Sequence, residues 1–175
     1  RLETSRNQLE SGAIDISRSR LTSYDALTGL ANRTLFYDQL SRFIAFARRE
    51  KRKLPLLVLD VNSFKDVNDS LGHQVGDNVL REVAKRISRA LRDSDSAARL
   101  GSNEFGIVLP TATTVDGAIV VAQKIAAAVE APILIGGHHL ILGVSIGISI
   151  FPDNGSDDKG IVSLALSAMD EAKRS

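Results

Sequence analysis

The sequence predicts an α+β domain in which helices pack on a largely antiparallel sheet. Three observations carry that expectation. Helical spacing of apolar residues recurs at about 34–50, 76–92 and 115–130, and again from about 160 to the end. Short apolar runs with strand character lie between them, near 55–60, 97–100, 104–109, 132–135 and 139–150. Two pairs of these runs are joined directly by tight turns, Gly101-Ser102 and Gly136-Gly137, and a tight turn makes antiparallel neighbours. Mixing hairpins with helical crossovers argues against a doubly wound parallel sheet.

Each element has its own warrant. Residues 1–23 are polar, with Leu2, Leu9 and Ile16 spaced by seven. That spacing predicts a connector helix, either one seam of a coiled coil or a surface helix packed on its own domain. Asp25 to Arg33 marks a turn into the helix near 34–50, whose apolar side carries Leu35, Phe36, Leu40, Phe43, Ile44 and Ala47. Pro55-Leu-Leu-Val-Leu-Asp60 is an apolar run closed by an acid, the pattern of a buried strand. Val79, Leu80, Val83, Ala84, Ile87 and Leu91 mark the next helix. The chain has 175 residues, enough for one domain with a real core plus the extra helix.

Composition narrows the function classes. The formal net charge is +1, so bulk electrostatics favours neither nucleic acid nor an anionic membrane surface as partner. There is no cysteine, which excludes disulfides, thiolate metal sites and thiol nucleophiles, and fits a reducing, cytoplasmic setting. No apolar run reaches membrane-spanning length. The absence of an initial methionine and the helical ending suggest a piece of a longer polypeptide.

The chemically informative stretch runs from Leu59 to Asp77. Asp60, closing a buried strand, is a candidate magnesium ligand, although acids in that place also serve as caps and turn residues. Lys65 could reach a phosphate as a mobile point charge, or simply be solvated. Asn68 and Asp77 can offer hydrogen bonds to a purine edge, or act as turn and cap residues. Phe64 either lines a site or packs in the core.

This stretch resembles the GGDEF family's pattern Asp-x-Asp-x-Phe-Lys-x-x-Asn-Asp-x-x-Gly-His-x-x-Gly-Asp, differing only at Asn62. The family's opening motif is matched by Asp25, Leu27-Thr-Gly-Leu30, Asn32 and Arg33, and a late strand motif by Val144-Ser-Ile-Gly147. Ala165, Ala168, Met169, Ala172 and Lys173 fit its closing helix, with Leu166 and Asp170 standing for a typical Asp and Tyr. The resemblance covers residues 24–175. It implies a palm-like sheet, as in nucleotidyl cyclases and polymerases, binding GTP at its hairpin. In active relatives two such domains face each other and condense two GTP into cyclic di-GMP. Carried over by position, Asp60 and the backbone carbonyl of Val61 would face magnesium. Asn68 and Asp77 would read guanine, Lys65 and Lys173 would hold phosphates, and Phe64 would belong to the GTP site.

The signature hairpin departs from this pattern. It reads Gly101-Ser102-Asn103-Glu104-Phe105 where the family has Gly-Gly-Asp/Glu-Glu-Phe. Ser102 adds a side chain where glycine would let the backbone approach phosphate closely. Asn103 replaces the carboxylate that would share the metals with Asp60; its amide oxygen can coordinate magnesium, but it brings no negative charge. At about 4 Å a unit-charge pair is worth roughly 4 kcal/mol at an effective dielectric near 20, so the metal site is expected to be weakened. Strand alternation would turn the neighbouring Glu104 to the other face, so Glu104 is not expected to replace it.

Arg92-Asp-Ser-Asp95 resembles the family's RxxD inhibitory site, where arginine and acid grip cyclic di-GMP; a helix-end arginine is the alternative. Lys124 is a candidate for that site's further basic residue. Together these features predict a non-catalytic regulatory or dimerisation module, binding GTP or cyclic di-GMP and tuning an adjacent EAL domain. The alternatives are an active diguanylate cyclase that tolerates Asn103, and a scaffold that binds no nucleotide.

Overall fold

The computed structural model of the chain describes residues 22–175. The connector expected over residues 1–23 lies, but for its last two residues, outside the described residues.

The first helix described in full, α1 (Arg33–Glu50), starts where the Asn32 side chain accepts the Leu35 N–H at 2.9 Å, a standard N-cap. It ends at Lys51, a left-handed residue with φ 53°. Strand β1 (Leu54–Val61) follows, then helices α2 (Phe64–Leu71) and α3 (His73–Ala90). The signature hairpin joins β2 (Ser96–Arg99) to β3 (Glu104–Val108). Helix α4 (Val115–Glu130) starts at a Thr114 cap, and the small strands β4 (Ile133–Ile135) and β5 (His138–Leu140) pair with each other. Strand β6 (Val144–Phe151) and helix α5 (Asp158–Arg174) complete the chain.

The main sheet has the order β2-β3-β1-β6, and every neighbouring pair is antiparallel. β1 is therefore central, and all eight of its residues are buried. Its side chains alternate between two cores. Leu57, Leu59 and Val61 join the α2–α3–α4 core, whereas Leu54, Leu56 and Val58 join the α1–α5 core. Asp60 continues the second set, so parity places the acid on the α1–α5 face.

Two expectations needed correction. Residues 64–71 form a helix that the turn-rich sequence Asn68-Asp-Ser-Leu-Gly72 hid; burial of Phe64 and Val67 in the core stabilises it. The run expected as one strand over 139–150 is two strands in different sheets. The chain crosses between them at residues 141–143, where Leu142 enters the core and Ile141 stays exposed.

Candidate functional site

The polar residues of the signature region meet at the C-terminal end of β1. Asp60 is buried, 3% exposed, and each of its oxygens has a donor. Oδ1 accepts from the side-chain amide of Asn103 at 2.7 Å, and Oδ2 accepts from Lys173 Nζ at 2.9 Å. The same Asn103 nitrogen donates to the Val61 carbonyl at 2.9 Å. The Val61 N–H in turn donates to the Asn103 carbonyl at 3.1 Å, pinning the hairpin to β1 by main chain as well.

Lys173 reaches Asp60 because α5 lies close on β6. A Cβ added to Gly147 would fall 1.9 Å from the Ala165 carbonyl oxygen and 2.5 Å from the Met169 nitrogen. Only glycine permits that approach, and Lys173 lies one turn beyond Met169 on the same helix. Asn62, the other amide where the family pattern has an acid, is engaged elsewhere. Its Oδ1 accepts from Ser145 Oγ at 3.0 Å, and its backbone N–H donates to the Gly143 carbonyl.

The expectation for Glu104 is corrected by the register. Asp60 pairs directly with Glu104, and directly opposed residues share a face, so Glu104 is on the same side as Asp60. The alternation argument failed because Asn103 precedes β3, in the turn, and its side chain reaches Asp60 from there. Ser102 causes no backbone strain there. Among described non-glycine residues only Lys51 and Ser63 have positive φ.

The hairpin has a second support that the sequence did not reveal. Arg99 donates to the Gly101 carbonyl at 3.0 Å and the Ser102 carbonyl at 2.9 Å, and its Nη1 lies 3.2 Å from Asp25 Oδ1. Asp25 also accepts from the Thr28 N–H and hydroxyl at 2.9 and 2.7 Å. Burial pushes the Asp25 carboxyl up, but the Thr28 bonds and the Arg99 guanidinium outweigh it, leaving its pKa below the ordinary value. A lone arginine before the signature offered no local signal; its partner lies 74 residues away.

The expected guanine readers lie at the α2–α3 corner. An ideal Cβ on Gly76 would fall 1.8 Å from Asn68 Oδ1 and 3.3 Å from the Phe64 ring. Gly76 thus lets the Asn68 amide lie against α3, next to Asp77. Phe64 is buried and forms part of the core beneath this corner. Asp77 and Lys65 are exposed and Asn68 half-buried, and none of the three side chains has a partner among the described residues.

Arg92 and Asp95 border a cleft of about 350 Å³, closed on its other side by Thr111 to Thr114, Gly117, Val120 and Val121. The Asp95 carboxylate accepts the Arg92 N–H at 3.0 Å, which fixes the turn between them. Lys124 is exposed on α4 and is not among the residues lining the cleft.

An antiparallel palm-type sheet, with a buried acid ending its central strand beside a hairpin, defines the class of domain. The chain belongs to the GGDEF domain family: residues 22–175 match the family model described as diguanylate cyclase, GGDEF domain. It is 38% identical over 152 residues to the diguanylate cyclase TpbB of Pseudomonas aeruginosa, covering 86% of this chain and 35% of TpbB. The chain thus spans about a third of that relative's length. The solved GGDEF domain of TpbB superposes with a TM-score of 0.84 at 38% identity, covering 86% of this chain and 88% of that one. The coiled coil and GGDEF domain of DgcB from Caulobacter crescentus, solved with cyclic di-GMP, gives 0.88 at 29% identity, covering 99% and 93%. An EAL/GGDEF domain protein from M. capsulatus gives 0.70 at 41% identity, covering 81% and 92%.

Proposed function

We propose that this chain is a non-catalytic GGDEF domain, a regulatory nucleotide-binding or dimerisation module of a larger cyclic di-GMP signalling protein. The observation that carries this reading is the Asn103 amide donating to both Asp60 and the Val61 carbonyl. A divalent cation needs anionic or carbonyl oxygens free to face it. Here the Asn103 N–H group holds one Asp60 oxygen and the Val61 carbonyl, and Lys173 holds the other Asp60 oxygen. With those oxygens facing donors and no carboxylate at position 103, the arrangement argues against two-metal phosphoryl transfer.

The binding groups remain. Asp77 can accept from guanine N–H groups and Asn68 can pair with the purine edge, over an apolar floor that includes Phe64. Lys65 is a phosphate cation without an internal competitor, and Lys173 would be shared between phosphate and Asp60. Arg92 and Asp95 beside their cleft are the candidate cyclic di-GMP site. An adjacent EAL domain, of the kind the M. capsulatus relative is named for, is a fitting target of regulation.

The test is product formation. Purified protein is incubated with GTP and magnesium at concentrations that allow dimerisation, and cyclic di-GMP is quantified by chromatography. Negligible product, together with GTP binding in a parallel titration, is expected. Robust synthesis would overturn the non-catalytic reading, and absence of binding to either nucleotide would favour a scaffold.

A further inference from the structure

A single nitrogen bridges Asp60 and Val61 at this hairpin. Carboxylate and carbonyl oxygens only accept, so the amide assignment of Asn103 follows from its two neighbours: the NH2 must face both. Joining an acidic side chain to a main-chain carbonyl is the work a bound cation would do here. The charge of Asp60 is offset separately, by Lys173 on its other oxygen.

We propose that Asn103 is a built-in substitute for a divalent cation: it seals the hairpin to the end of β1 and excludes metal. The domain then holds its hairpin, and takes any guanine nucleotide, without magnesium. The inference rests on the non-catalytic reading, but it concerns the hairpin before any nucleotide arrives.

The geometry states what an acid would do instead. The main-chain bond from Val61 to the Asn103 carbonyl holds the turn in place whatever side chain stands at 103. An aspartate there would set a carboxylate oxygen against Asp60 Oδ1 and the Val61 carbonyl, acceptor against acceptor. Like charges at that distance repel each other unless a cation joins them. Lys173 does not relieve this, since it reaches the other Asp60 oxygen and is half exposed. One substitution, Asn103→Asp, is therefore expected to convert a metal-indifferent hairpin into a metal-dependent one.

Thermal unfolding of the 175-residue chain in EDTA and in millimolar magnesium, at matched ionic strength, reads this out. The wild type is expected to unfold at the same temperature in both. Asn103→Asp is expected to lose about 2–4 °C in EDTA and to regain most of it in magnesium. Asn103→Ala is expected to fall in both media, since it removes the bridge without creating a charge. Should the aspartate variant fail to fold, manganese titrated into the labelled wild type decides. Amide resonances of Val61 and Asn103 that stay sharp support the proposal, and selective broadening there overturns it. Magnesium stabilisation of the wild type, or a folded Asn103→Asp that is as stable as wild type in EDTA and ignores magnesium, also overturns it. Cyclic di-GMP synthesis by a wild type whose unfolding ignores magnesium would refute the non-catalytic reading and leave the amide bridge standing.

Discussion

The two ends of the candidate site are built on opposite terms. At the hairpin, Asp60, Asn103, Val61 and Lys173 satisfy one another. At the α2–α3 corner, Lys65, Asn68 and Asp77 have no internal partner among the described residues. A buried polar group must find its partner within the fold, whereas an exposed one can wait for a ligand at little cost. The hairpin end is therefore expected to matter to stability and the corner to binding. A close-approach glycine supports each end, Gly147 where β6 packs on α5 and Gly76 beneath the Asn68 amide, which allows the contrast to be tested by the same substitution twice.

Gly147→Ala should have the largest effect. Its methyl group would meet backbone of α5 on two sides, and backbone gives way only if the helix shifts. A loss of about 3 kcal/mol or more in urea unfolding is expected, of the size seen when a core is overpacked. Gly76→Ala should behave differently, because its methyl group meets the movable Asn68 amide. Stability should change by less than about 1 kcal/mol, helped by alanine's helix propensity, while GTP affinity falls roughly tenfold or more. If both variants lost only stability, the corner would be structural and not a ligand site.

Asp77→Ala sharpens the same contrast without steric change. Affinity for GTP in calorimetry should fall by about tenfold or more, and the unfolding midpoint should not move, because the carboxylate has no internal bond to lose. Unchanged affinity would show that guanine is read elsewhere.

Arg92→Ala probes the separate cleft. Charge-assisted bonds to a guanine edge or phosphate contribute about 1.5–3 kcal/mol each, so cyclic di-GMP binding should weaken about tenfold or more with GTP binding unaffected. If wild-type protein bound no cyclic di-GMP at micromolar concentrations, the cleft would be left without that ligand.

The smallest expected effect is an acid response at Asp25. Its folded pKa is depressed, so its contribution to stability is fully present above the unfolded-state pKa, about 3.9, and is lost as pH falls through the folded value. Unfolding of Asp25→Asn should therefore show a smaller loss between neutral and strongly acidic pH than the wild type does. An identical loss in both would place the acid sensitivity at other carboxylates.

Local pattern determined the class of this domain. Apolar periods of 3.6 and 2 marked four of the five described helices and most of the strands, and the spacing of Asp60, Lys65, Asn68 and Asp77 marked the family and the candidate residues. Tertiary structure decided the rest. Helix α2 has a sequence rich in turn formers and is held by burying Phe64 and Val67. The partners of Asp60 lie 43 and 113 residues away, and that of Arg99 lies 74 away. Periodicity reports which face of an element is buried. Which donor meets which acceptor depends on strand register and on how closely a helix such as α5 can approach, and both are set only when distant segments pack.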